Sequence, residues 1–229
     1  MHKESQEILQ QLQQVIHGKE AVLQSVWLTF LAGGHVLLED LPGVGKTTLA
    51  KAFSQVISLE EKRVQLTPDT VSSDLTGFMI YNQQHGSFTL KKGLVMTNIL
   101  LADELNRTSS RTQAALLEAM QEKQVTVDDT TYTLPVPFHV IATQNPSGSI
   151  GTQPLPLAQL DRFMTRLSMG YPSTEAQIMM LKNHQHATTK CIQAVATKEQ
   201  FIEWQQEVSN ISISDTIYAY VTALTEATR

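Results

Sequence analysis

The stretch Glu39-Asp40-Leu41-Pro42-Gly43-Val44-Gly45-Lys46-Thr47-Thr48 constrains this chain more than any other. It follows an apolar, strand-like run, Val36-Leu37-Leu38, and leads into Leu49-Ala50-Lys51-Ala52-Phe53, which reads as a helix. A Gly-rich turn between strand and helix can aim several backbone N–H groups at a phosphate, with the helix N-terminus behind it. In such a loop Lys46 neutralises the β- and γ-phosphates and the Thr47 hydroxyl sits on Mg²⁺. The usual pattern opens with Gly, where this chain has Asp40.

Further along, a second apolar run ends in acids: Asn98-Ile99-Leu100-Leu101-Ala102-Asp103-Glu104. A strand that closes on carboxylates is what nucleotide hydrolysis needs. Asp103 can hold the Mg²⁺ shell, and Glu104 can orient or deprotonate the attacking water. Either acid alone reads equally well as a helix cap or turn. Together with Gly45-Lys46-Thr47, at a spacing that suits a βαβ unit, they point to one phosphate site.

Bulk properties narrow the alternatives. A length of 229 residues, 41% of them hydrophobic, supports one large domain or one domain with a small attachment. The net charge of −5 provides no basic field for DNA or RNA, and Lys91-Lys92 is too short to be a nucleic-acid patch. Cys191 is the single cysteine, so no intrachain disulfide forms, and no Cys/His group has zinc-like spacing. His184 and His186 stand two apart and read as solvated. No signal peptide precedes the charged, Gln-rich start, and the expected location is the cytoplasm. The uncharged run from Ala21 to Leu38 holds Gln24, Ser25, Thr29, His35 and Gly33-Gly34, so it reads as helix, turn and strand rather than a membrane span.

Helical spacing of Ile8, Leu12, Val15 and Ile16 predicts a first helix ending near His17-Gly18. A second helix runs from Glu20 to about Ala32. After the Val36–Leu38 strand and the phosphate loop comes a helix to Ile57. Arg63–Leu66 is a short strand candidate, Leu94–Leu101 contains the next strand, ending at Asp103, and Ser110–Glu122 is a helix rich in good helix formers. Val125–Val127 and Thr131–Leu134 flank Asp128-Asp129-Thr130 as a hairpin. Phe138–Ala142 is a further strand, closing at Thr143-Gln144-Asn145-Pro146. Strands alternating with helices predict a mostly parallel sheet covered on both faces, with ligand chemistry at the C-terminal strand ends where Asp40, Asp103 and Asn145 fall.

Pro172 marks a boundary, giving an α/β nucleotide-binding domain over 1–171 and a helical lid over 172–229. The lid begins with a capping box, Thr174 to Gln177, followed by Ile178, Leu181 and Lys182. Its later stripes, Phe201/Trp204/Gln205/Val208 and Ile217/Val221/Leu224/Thr228, read as the core of that small domain. The final amphipathic helix runs to Arg229 with no closing element, so the lid is expected to be incomplete.

In these blocks the chain resembles the MoxR family of AAA+ ATPases. The resemblance runs from about His17 to Pro172 and continues more weakly into the helical tail. It rests on Gly34–Thr47, Leu101–Arg107, Gln113–Glu122, Ala142–Pro146, Gly151–Pro156 and Gln159–Phe163 in that order. Members also show the acid seen here at Asp40. The resemblance implies a P-loop α/β core with a helical lid, assembled as a hexameric ring with ATP between subunits. It places ATP on His17, Gly18, Pro42, Gly43, Val44, Gly45, Lys46, Thr47 and Thr48, and Mg²⁺ on Thr47 and Asp103. Glu104 is then the hydrolytic carboxylate and Asn145 the sensor-1 residue. Arg162 is the arginine finger, reaching a neighbouring subunit's γ-phosphate, and Arg166 is a second candidate for the same interface. Thr67–Gly77, continuing to Phe88, and Val125–Leu134 match insertions around a central pore.

As a function, the resemblance implies an ATP-hydrolysing, chaperone-like remodeller of a client protein, often with a partner carrying a von Willebrand factor A domain. Complete members carry a sensor-2 motif downstream of the point reached at Arg229. A nucleotide-dependent scaffold with little turnover is therefore the alternative expectation.

Overall fold

The structure, a computed structural model, describes residues 3–39, 45–84, 86–145, 152, 155–171, 174, 177 and 192–228. Its centre is a five-stranded parallel sheet in the order β2-β5-β8-β1-β9. These strands are β1 (Val36–Glu39), β2 (Glu61–Gln65), β5 (Ile99–Asp103), β8 (His139–Gln144) and β9 (Thr165–Leu167). The three middle strands are apolar and buried almost throughout, as a parallel sheet covered on both faces requires.

Alternation along these strands sorts the core into two layers. Val36, Leu38, Ile99, Leu101 and Ile141 face helices α1 (Lys3–Gln13), α2 (Glu20–Leu31) and α3 (Lys46–Val56). Leu37, Leu100, Ala102, Val140 and Ala142 face α5 (Ser110–Glu122). The expected bounds of α5 are those observed. Ser109 caps it by accepting the Thr112 N–H at 3.3 Å, and Lys123 ends it in a left-handed conformation with φ of 52°.

Two antiparallel hairpins flank this body. The expected one is β6 (Gln124–Val127) with β7 (Thr130–Thr133), turning on Asp128 at φ 51°. The other, β3 (Gly77–Asn82) with β4 (Ser87–Lys92), follows the short helix α4 (Ser72–Thr76) and lies inside a segment expected only as an insertion. Phe78, Ile80, Tyr81 and Phe88 on it are exposed. Gly34 is required where it stands, because a Cβ there would lie 2.7 Å from Met164.

The expected lid is described only in part. The capping-box run Thr174–Gln177 with Ile178, Leu181 and Lys182 falls largely outside the described residues, as do His184, His186 and Cys191. The helix Lys198–Ser209 is present, with Thr197 and Gln200 forming its capping box. Its stripe does not make a separate small-domain core. Phe201 is fully buried in the α1/α2/α3 layer, its ring 5.6 Å from that of Trp27, and Trp204 meets Trp27 edge-on at 6.2 Å. Gln205 donates to the Phe30 carbonyl at 2.6 Å and to His139 Nε2, and Val195 N–H donates to the Val56 carbonyl at 2.8 Å. A large aromatic gains more by joining an existing core than by lining a thin one, which is why the chain from Ile192 to Ser209 is built onto the α/β body. The helix Asp215–Ala227 buries none of its residues.

Candidate functional site

The C-terminal ends of β1, β5 and β8 open on one side of the sheet. Beyond β1, residues 40–44 are not described, so the expected Asp40, Pro42, Gly43 and Val44 contacts lie outside the described residues. Gly45 is described. It takes a left-handed φ of 93°, a conformation natural to glycine, and starts α3 directly. Lys46 is the first helical residue and is buried, with Thr47 half-buried and Thr48 exposed beside it. The N-terminal N–H groups of α3 therefore lie where the sequence places phosphate.

His17 and Gly18 lie in the turn between α1 and α2, Gly18 at φ 67°. Lys19, next to them, donates to the Tyr171 carbonyl at 2.8 Å, and Met169 on the same run would lie 4.0 Å from a Cβ at Gly45. The turn is thus tied to the run that passes the start of α3.

Asp103 closes β5 and is buried. Its Oδ1 accepts from the Thr143 hydroxyl at 2.6 Å, and its Oδ2 pairs with Arg63 Nη2 at 2.8 Å. Glu104 follows in a left-handed conformation, φ 59° and ψ 48°. Its Oε1 accepts from Asn145 Nδ2 at 3.2 Å and its Oε2 pairs with Arg107 Nη1 at 3.1 Å. Asn145, just past β8, is buried and locked to Asn106 by two bonds. Its N–H donates to Asn106 Oδ1 at 3.3 Å, and its carbonyl accepts from Asn106 Nδ2 at 3.1 Å. Asn145 Oδ1 is buried with no partner among the described residues. Asp103, Glu104 and Asn145 are therefore brought together as the sequence predicts.

Neighbouring groups escaped the sequence reading. Arg63, Arg107, Asn106 and Thr143 all touch the carboxylate cluster. Glu39, at the end of β1, accepts from Gln144 Nε2 and pairs with Arg166 at 2.5 Å. Arg166 is thus paired with Glu39 of its own chain while its side chain stays largely exposed. Arg162 differs. It follows α6 (Leu157–Leu160), is exposed, and no described residue pairs with its guanidinium.

The donor set fits a hard cation. Asp103 and the Thr47 hydroxyl offer oxygens, and Mg²⁺ characteristically takes one or two carboxylates together with substrate phosphates. No group of three or more His, Cys, Asp or Glu among the described residues could hold a metal. The orphaned Asn145 Oδ1 also fits a site awaiting a polar ligand or water.

Fold and site together define an α/β P-loop protein of the AAA+ class. The ATPase family associated with various cellular activities (AAA) matches residues 35–165. Protein YeaC of Bacillus subtilis, itself uncharacterized, is 46% identical over 96% of this chain and 69% of its own length. Chaperone MoxR1 of Mycobacterium tuberculosis is 36% identical over 96% of this chain and 58% of its length. A crystal structure from Cytophaga hutchinsonii, of a protein provisionally designated an ATPase, superposes with a TM-score of 0.90 at 40% identity. That match covers 99% of this chain and 69% of the other. This chain belongs to the MoxR family of AAA+ ATPases.

Proposed function

We propose that this chain binds and hydrolyses ATP and uses the cycle to remodel or mature a client protein. The observation that carries the reading is the convergence of Asp103, Glu104 and Asn145 at the C-terminal end of the sheet, where Gly45 and Lys46 start α3. Lys46 and the helix N-terminus compensate phosphate charge, joined by Pro42, Gly43, Val44 and Thr48 of the loop and by the His17-Gly18 turn at the far end of the nucleotide. Thr47 and Asp103 hold Mg²⁺, which, when bound, neutralises charge on the transferred phosphoryl group. Glu104 orients and deprotonates the attacking water, with Asn145 fixing its carboxylate.

Arg162 reaches the phosphate of an adjoining subunit in a homo-oligomeric ring, a hexamer in the family's manner, where a charge supplied in trans stabilises the transferring group. The exposed apolar residues of the β3–β4 hairpin face the client, and the β6–β7 hairpin lies beside them at the proposed pore. A cytoplasmic setting and a partner with a von Willebrand factor A domain complete the reading.

Glu104→Gln tests it. ATP affinity stays within a few-fold while turnover falls about 10²-fold or more, since the positioned base is gone. Near wild-type turnover in this variant would remove Glu104 from the reaction. A second reading, a nucleotide-dependent scaffold with little turnover, draws on the grip of Asn145 and Arg107 on both Glu104 oxygens. Binding without measurable turnover, even with a partner protein added, selects it.

A further inference from the structure

Between the two acidic residues that close β5 stands a hydroxyl to which the chemistry above gives no task. Thr143 lies on β8 and is fully buried. The pairing of β5 with β8 runs from Ile99↔His139 to Ala102↔Ala142. One step further, the Thr143 side chain takes over the joining of the strands. Its Oγ1 donates to Asp103 Oδ1 at 2.6 Å and accepts the backbone N–H of Glu104 at 2.9 Å.

The direction of both bonds is fixed by chemistry. A backbone N–H only donates and an ionised carboxylate only accepts, so the single hydroxyl proton goes to Asp103 and a lone pair goes to Glu104. Glu104 needs that partner. Its left-handed backbone, at φ 59°, is uncommon for a side chain of this kind and persists only where surroundings over-determine it. The same turn takes its N–H out of the strand pairing, and a buried N–H left unpaired is costly.

We propose that Thr143 is a positioning residue that sets the metal-holding and water-orienting carboxylates in one fixed relation, Asp103 through its side chain and Glu104 through its backbone. This rests on the ATPase reading, and Thr143 itself touches neither phosphate nor water. Losing the hydroxyl lets the Asp103 carboxylate turn and the Glu104 backbone relax, so metal response and turnover suffer while the phosphate loop is unaffected.

The test compares Thr143→Val, which keeps the shape and loses the hydroxyl, with Thr143→Ser, which keeps the hydroxyl and loses a methyl. A fluorescent ATP analogue reports nucleotide affinity in EDTA and across a Mg²⁺ titration, and phosphate release reports turnover. In Thr143→Val, affinity in EDTA holds within about two-fold while the gain produced by Mg²⁺ and the turnover at saturation each fall about ten-fold or more, as for partners that orient metal ligands. Thr143→Ser restores both. In the nucleotide-free chain, the Glu104 amide loses about ten-fold or more of its hydrogen-exchange protection in Thr143→Val and regains it in Thr143→Ser. Should the valine variant not fold, Thr143→Cys, a weak donor and acceptor, takes its place.

Unchanged Mg²⁺ response with unchanged Glu104 exchange would overturn the proposal. A serine variant as impaired as the valine one would do the same, because packing of the methyl would then be responsible. If the wild-type chain binds no nucleotide, the ATPase reading fails by itself, while the exchange measurement still judges the tie between Thr143 and Glu104.

Discussion

His35 stands just before β1 and His139 opens β8, and both rings are buried between the sheet and its helices. His35 Nδ1 accepts the Val140 N–H at 3.0 Å, so its proton sits on Nε2, facing the Met120 carbonyl. His139 holds the other tautomer, with Nδ1–H toward the Gly34 carbonyl at 2.8 Å and Nε2 accepting from Gln205. A second proton on either ring would meet a donor. Burial lowers the His35 pKa to about 4 and the His139 pKa to about 3, opposed by the backbone carbonyl each one faces. Both groups bind protons more readily in the unfolded chain, so their contribution is complete above the usual histidine value of about 6.5 and is lost as pH falls toward 4 and 3. Unfolding in urea should show the two histidines removing about 3–4 kcal/mol between pH 7 and pH 5. His139→Gln should roughly halve that slope. A flat profile in the wild-type protein would mean that these rings are not neutral in the fold.

At the scale of elements, the helix Lys198–Ser209 offers the sharpest test, because the sequence assigns it elsewhere. If Phe201 belongs to the α1/α2/α3 layer, Phe201→Ala should cost about 3–5 kcal/mol and lower the midpoint of the main thermal transition by roughly 6 °C or more. An unchanged main transition, with only a minor separate one shifted, would restore an independent lid. The difference between the expected and the observed partners of this helix has a physical source. A stripe of Phe201, Trp204 and Gln205 states that a helix face is covered but not by what. The β3–β4 hairpin was illegible for the opposite reason: Phe78 and Ile80 lie on one face of β3 and Tyr81 on the other, opposite Phe88, and all are exposed, so no buried side marks it. By contrast, α5 was legible from its run of good helix formers, and β1, β5 and β8 from apolar runs that end in polar groups and are buried on both faces. The site divides in the same way. Asp103, Glu104 and Asn145 announce themselves by type and by their place at strand ends. Thr143, Arg63 and Arg107 matter through the register of strands distant in sequence, or through one residue's unusual backbone.

For the whole molecule, the prediction concerns Arg162, whose proposed target lies in another copy. Arg162→Ala should leave folding and most ATP affinity intact while removing the part of hydrolysis that depends on assembly. Lys46→Ala cannot support its own phosphate site but still presents Arg162 to a neighbour. Mixing the two variants should therefore return part of the lost activity, read as phosphate release in oligomers shown by mass to contain both. No recovery in such mixed oligomers would rule out action in trans. The run carrying Arg162 is anchored directly after it: Phe163 is buried, and the Met164 and Thr165 N–H groups both point to the His35 carbonyl, at 3.0 and 3.5 Å. Arg162 is therefore mounted like a tooth on a gear rather than on a tether. On the proposed reading, its engagement would follow how each subunit as a whole is tilted against the next.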